Sequence, residues 1–351
     1  LVHFTHTSIH LITPFDSGGS SAGLRTAFHM PAVGDLRNRL LALADPAPGN
    51  HRAMCRLAAY RFPQNADTTA LYRALGALCS GEDTRVARLD APLREVTCRS
   101  LSMFREAMPP AFDLRGASIG NLLLTGSWLR HDRQLDPALR EFTGLIEARG
   151  IVRPVLDGDY QLAAELEDGS TLTGQHHITG KEVDTIASPV KRVWLTADET
   201  SLDPVFPRVD TTTAALIAGA DLICYPPGSF YTSVLANLLP GGVADAISEA
   251  RCPKVYLPAM GHDPEALGLD VFSCATRLVR VLEQGLRHAT HPSRLLTHVM
   301  TDTRRGDYPG LEQLGSLERL GIQLVDVSLV SEASRPLIDG KRAIRHLLSM
   351  F

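Results

Sequence analysis

Apolar positions along the chain fall into two regimes. Between residues 34 and 150 they recur every three to four positions, the spacing of helices with one buried face. Residues 35–44 open on Asp35 and then show such a face. Helical spacing continues over residues 52–60, 68–79, 93–107, 119–129 and 137–149, the last ended by Gly150. No strand pattern interrupts residues 45–115, which read as a helical insertion. From residue 190 onward short apolar runs alternate with helical spacing. Strands are expected at 190–195, 221–225, 254–257, 295–300 and 322–325. Helices are expected between them at 211–218, 231–238, 243–250, 271–285 and 311–320. That alternation predicts a parallel sheet with crossover helices. Shorter strand patterns lie at 8–13 and 151–155, and residues 160–166 and 171–174 flank an Asp168-Gly169 turn, the mark of a hairpin.

The polar residues of interest stand where apolar strands end. Thr13-Pro14-Phe15-Asp16-Ser17-Gly18-Gly19-Ser20-Ser21 puts a carboxylate, two glycines and two hydroxyls after the first strand. Glycines let backbone amides turn toward an anion, hydroxyls donate to phosphate oxygens, and the acid can hold magnesium or a sugar hydroxyl. The same run also reads as a flexible turn, with Asp16 capping a helix that begins near Ala22. Tyr225-Pro226-Pro227-Gly228-Ser229-Phe230-Tyr231-Thr232-Ser233 repeats the logic, with amides and hydroxyls opening a helix. Its alternative is a Pro-Gly turn capped by Ser229. Gly34-Asp35-Leu36-Arg37-Asn38 could read a base edge or hold a phosphate, or Asp35 could cap the helix while Arg37 and Asn38 are solvated. Gly120-Asn121 opens a very apolar helix, where the amide either bonds a ligand or caps local backbone. His176-His177, placed in the hairpin region, and His262-Asp263-Pro264-Glu265 read as exposed loop residues without metal-ligand spacing.

Bulk properties narrow the partners. Of 351 residues 44% are hydrophobic and 21% charged, an ordinary globular balance, and the formal net charge is −4. Arginines are scattered, which argues against nucleic acid. No apolar run reaches the length of a membrane span. The six cysteines form no C-x-x-C pair, and their usage fits a reducing cytoplasm. Cys224 and Cys274 sit in apolar patterns as buried thiols.

Taken in order, the motifs Asp16 to Arg25, Gly34 to Asn38, Gly120 to Leu124, Gly228 to Ser233 and Asn237 to Leu239 resemble the superfamily of 2-phospho-L-lactate transferase, an enzyme of deazaflavin cofactor synthesis. That superfamily includes the gluconeogenesis factor proteins, which bind UDP-sugars. The Phe-Asp-Ser-Gly-Gly-Ser-Ser and Cys-Tyr-Pro-x-Gly-Ser-Phe-Tyr forms look most like its GAK-system branch. The resemblance implies a Rossmann-like three-layer α/β sandwich over residues 1–351, with the helical insertion at 45–115 and a β-hairpin region at 151–180. It also implies a nucleotide diphosphate or nucleotide-sugar ligand, magnesium, and a homodimer. Asp16 would be the catalytic residue, as magnesium ligand or as the carboxylate that orients the acceptor hydroxyl. Gly18, Gly19, Ser20 and Ser21 would face the reacting phosphate, with Asp35, Arg37, Asn38, Gly120 and Asn121 shaping the same cleft. Gly228, Ser229, Tyr231, Thr232, Ser233 and Asn237 would complete it. The family carries two adjacent acids before its double glycine, and Phe15 stands at the first here. The family's first strand and Gly-Gly-Thr-Gly-type loop are expected upstream of Leu1. Two functions follow as expectations: transfer of a phospho-linked group, or non-catalytic nucleotide-sugar binding.

Overall fold

Phe15, three residues beyond the end of the first strand, is fully buried, and the chain around it shows how the amino-terminal half is built. The computed structural model describes residues 3–44, 50–180 and 185–350. The chain forms two compact units that meet in sequence between Asp159 and Tyr160.

The first unit holds strand β1 (Ile9–Ile12) and helices α1 (Gly19–Phe28), α2 (Gly34–Ala42), α3 (Asn50–Ala59), α4 (Thr68–Ser80), α5 (Thr84–Ala87), α6 (Ala91–Ala107), α7 (Ile119–Arg130) and α8 (Leu135–Ile146), followed by strand β2 (Ile151–Pro154). β1 and β2 pair in parallel, Ile9 opposite Ile151 through Ile12 opposite Pro154. Residues 45–49 of the expected helical insertion lie outside the described residues. Asp67 and Asp90 start α4 and α6 by accepting the amides of Ala70 and Leu93, the ordinary use of an acid at a helix N-terminus. α7 is buried continuously from Ile119 to Trp128, the mark of a central helix.

The second unit begins with β3 (Gln161–Leu166), β4 (Thr171–Thr173), a short helix α9 (Gln175–Thr179) and β5 (Val190–Thr196). It continues with α10 (Thr211–Ala218), β6 (Ile223–Tyr225), α11 (Val243–Glu249), β7 (Lys254–Tyr256), α12 (Val271–Gly285), β8 (His298–Thr301), β9 (Gln323–Asp326) and α13 (Gly340–Leu348). The strands β6, β7, β8 and β9 form a parallel sheet in that order, with helical crossovers, so the fold is the expected Rossmann-like α/β arrangement. Val255, Leu257, Met300, Leu329 and Ala343 form a core cluster of this unit.

Three expectations are corrected. β5 does not join the parallel sheet; it pairs antiparallel with β3, beside the hairpin. Glu165 on β3 accepts from Lys191 Nζ at 2.7 Å and Arg192 Nε at 2.5 Å on β5, a cross-strand charge match that an apolar run cannot display. Residues 230–238 form a π-turn (Phe230–Val234) running into a 3₁₀ turn (Leu235–Leu238), and Leu311–Leu320 is also 3₁₀. His176 and His177 lie on α9 rather than in the hairpin, with ring centroids 3.9 Å apart.

Candidate functional site

In the first unit, motifs far apart in sequence come to one place. β1 delivers Asp16, whose Oδ1 accepts the Gly18 amide at 3.1 Å. Its Oδ2 takes no hydrogen bond from the described residues. This closes the turn locally instead of capping the helix. Helix α1 starts at Gly19, three residues earlier than the periodicity indicates, so Gly19, Ser20 and Ser21 form its first turn rather than a loop. Two glycines hide a helix start because neither carries an apolar marker. Gly34, the first residue of α2, sits against this group. A Cβ there would lie 2.5 Å from Ser21 Oγ, 3.6 Å from Asp16 Oδ2 and 3.9 Å from Asn121 Nδ2. Asp16, Ser21 and Asn121 therefore converge on the space that only a glycine leaves open.

Arg25, on α1, holds this corner together. It is 4% exposed and donates from Nη1 to Phe15 O (3.0 Å) and Asp16 O (3.2 Å), and from Nε and Nη2 to Asp159 Oδ1 (3.0 and 2.6 Å). Its role was missed because a single arginine on a helix reads as solvated.

One turn beyond Gly34, Arg37 is buried at 4% exposure, not solvated. Its Nη1 donates to Ser118 Oγ and its Nη2 to Asn38 Oδ1 at 2.5 Å. Burial, then the neighbouring Arg61, push its pKa down to about 10. The Arg37 stem rests on the bare α-carbon of Gly120, where a Cβ would lie 2.6 Å from Arg37 Cδ. Asp35 and Asn38 are exposed, and Asn121 is fully buried. Among the described residues no group of three His, Cys, Asp or Glu side chains could hold a metal ion.

The sequence profile of the family described as "2-phospho-L-lactate transferase CofD" matches residues 2–329. The chain belongs to the CofD family. Among its relatives, a putative gluconeogenesis factor of Thermotoga maritima is 24% identical over 98% of this chain and 88% of its own. Gluconeogenesis factors of Bacillus subtilis and Listeria monocytogenes are 28% and 30% identical, over 70% and 71% of this chain. The matched region spans only 58% and 59% of those two proteins. Two crystal structures of Bacillus halodurans protein BH3568, one described as a member of the UPF0052 family, share the fold. Their TM-scores are 0.69 and 0.70 at 22% and 23% identity, covering 97% and 99% of this chain and 91% and 92% of theirs.

Within this CofD-family chain the second unit carries the other polar loop. Gly228 is exposed, and Ser229 precedes the π-turn without a side-chain cap. The amides at the turn's start are engaged internally. Asp263 Oδ2 accepts from the Phe230 amide at 2.9 Å, and Glu265 Oε2 from the amides of Tyr231 (3.1 Å) and Thr232 (2.9 Å). Glu265 Oε1 also accepts from Thr232 Oγ1 at 2.6 Å. Glu265 is 1% exposed, so it is a buried cap and not the exposed loop residue expected. Desolvation raises its pKa above the usual carboxylate range, partly offset by the Thr232 hydroxyl. Tyr231 is buried, donating to Val190 O at 3.0 Å and accepting from Arg277 Nη1 at 2.5 Å. Asn237 Nδ2 donates to Ser233 O at 2.8 Å. Cys224 and Cys274 are pushed up to about 12 by burial, which makes them poor nucleophiles.

Proposed function

We propose that this chain is a transferase of the 2-phospho-L-lactate transferase type, moving a phospho-linked group from a nucleotide-linked donor to an acceptor hydroxyl. The observation that carries the reading is the meeting of Asp16, Ser21 and Asn121 at the bare α-carbon of Gly34, with buried Arg37 one turn away. In such a reaction the acceptor oxygen forms a bond to phosphorus while the bond to the nucleotide breaks. Catalysis is then mostly positioning and charge neutralisation. Ser21 supplies a hydroxyl donor, Arg37 a fixed positive charge, and Asp16 Oδ2 an acceptor for the proton of the incoming hydroxyl. Magnesium usually takes one or two carboxylates and completes its shell with water and substrate phosphate. Asp16 alone fits that pattern; a cage built only from protein side chains is not supported by the donors present. When bound there, magnesium would neutralise developing phosphate charge.

A second reading is non-catalytic nucleotide-sugar binding. It is favoured by Phe15, fully buried where the family's first acid stands, and by relatives named as gluconeogenesis factors. Calorimetry with a panel of nucleoside diphosphates and UDP-sugars, with and without magnesium, separates the two. The transferase reading expects magnesium-dependent binding of a diphosphate-linked ligand that Asp16→Asn weakens about 10-fold or more, the scale of one charge-assisted contact. Metal-independent UDP-sugar binding that survives Asp16→Asn would establish the regulatory reading instead. No binding across the panel would sink both.

A further inference from the structure

Arg61 entered none of the motifs, yet the backbone brings it to the same place as Arg37. The Phe62 amide donates to Ala117 O and the Ile119 amide to Tyr60 O, both at 2.9 Å. These two bonds bracket an antiparallel bridge between Arg61 and Ser118. In such a bracketed pair the two residues face each other at the closer of the two antiparallel spacings, with side chains on one side. Ser118 is fully buried, and its hydroxyl is the one that Arg37 Nη1 donates to. Arg61 therefore stands beside the hydroxyl on which Arg37 ends. Its Nη1 also donates to Gly116 O at 3.2 Å, two residues before Ser118.

The charge balance of this corner is unusual. Arg37 is buried, its hydrogen-bond partners Ser118 and Asn38 are neutral, and Nε has no partner. It makes no ion pair with any described residue; Asp35 acts on it only at longer range. A buried guanidinium without a carboxylate is costly, and a second guanidinium beside it adds repulsion. An oxyanion between them would relieve both costs, and the planar forks of two arginines match phosphate oxygens well.

We infer that Arg37 and Arg61, meeting at Ser118, form a phosphate-binding subsite in the first unit, with Arg61 as its exposed, affinity-setting member. This deepens the proposed function by assigning where the ligand's phosphate is held, and it rests on that reading only for the nucleotide part.

The test uses inorganic pyrophosphate as the probe, titrated calorimetrically without metal into the whole chain and its variants. Pyrophosphate should bind the parent protein, with an affinity that falls steeply as salt rises. Arg61→Gln should weaken it at least 10-fold without shifting the urea midpoint, and Arg61→Lys should restore part of the loss. Arg37→Gln should abolish binding; should that variant fail to fold, Arg61→Gln alone decides. Equal affinity in the parent and Arg61→Gln, or no binding by the parent, overturns the subsite. Nucleoside diphosphates binding where pyrophosphate does not would overturn it while leaving the proposed function standing. Arg61-dependent pyrophosphate binding with no affinity for any nucleotide would keep the subsite and remove the nucleotide reading.

Discussion

Arg25 shows how much one side chain can decide in this chain. Its guanidinium joins the backbone of Phe15 and Asp16 to Asp159, so the turn that presents Asp16 depends on it. Arg25→Ala strands Asp159, the buried carbonyl of Phe15 and the half-buried carbonyl of Asp16, which should cost about 3 kcal/mol in urea unfolding. Arg25→Lys should recover little, because a point charge cannot serve three acceptors in a fork geometry. Glu265 offers a different measurement. Its carboxyl pKa is raised in the folded protein, so its contribution to stability is complete below the unfolded carboxylate pKa. It is lost as pH rises through the raised value. The stability of the parent relative to Glu265→Gln should therefore fall between acid and neutral pH in denaturation at matched salt. A flat difference would show that the carboxyl is not perturbed.

At the scale of elements, helix packing around α7 is the feature most open to test. Gly126 lies where α7 crosses α6, and a Cβ there would sit 1.8 Å from Ser100 O and 2.7 Å from its carbon. Gly126→Ala must push two helix backbones apart and should destabilise by about 3 kcal/mol or more. Gly144 on α8 is exposed and has nothing within 4 Å of its Cβ direction, so Gly144→Ala should instead stabilise by about 0.5–1 kcal/mol. The pair, measured by urea midpoints, separates close approach from helix propensity. Element positions were largely legible: α4, α6, α7, α10 and α12 stand where apolar spacing puts them. α13 was not anticipated. The π-turn at 230–234 was read as an ordinary helix, because its amides are held by Asp263 and Glu265 some thirty residues away, outside any local window.

Across the whole molecule, the two units make distinct contributions, and hydrogen exchange can read them separately. On adding a nucleoside diphosphate with magnesium, amides at 16–38 and 118–125 should slow. Ligand at about 100 times its dissociation constant stabilises by about 2.7 kcal/mol, enough to slow globally exchanging amides roughly 100-fold. The amides of Phe230, Tyr231 and Thr232 should not change, since Asp263 and Glu265 already hold them. Slowing there as well would show that the Gly228–Ser233 loop takes part in binding. By itself the sequence determined the α/β class, the alternation of parallel strands with crossover helices and the family, because periodicity and ordered motifs are properties of neighbours along the chain. Only the tertiary structure decided that β5 leaves the parallel sheet, that Asp263 and Glu265 engage the second loop's amides, and that Arg61 bridges to Ser118, whose hydroxyl Arg37 bonds. Those outcomes depend on which distant groups share a buried space, where an unpaired charge or amide is costly, and spacing along a chain carries no record of that.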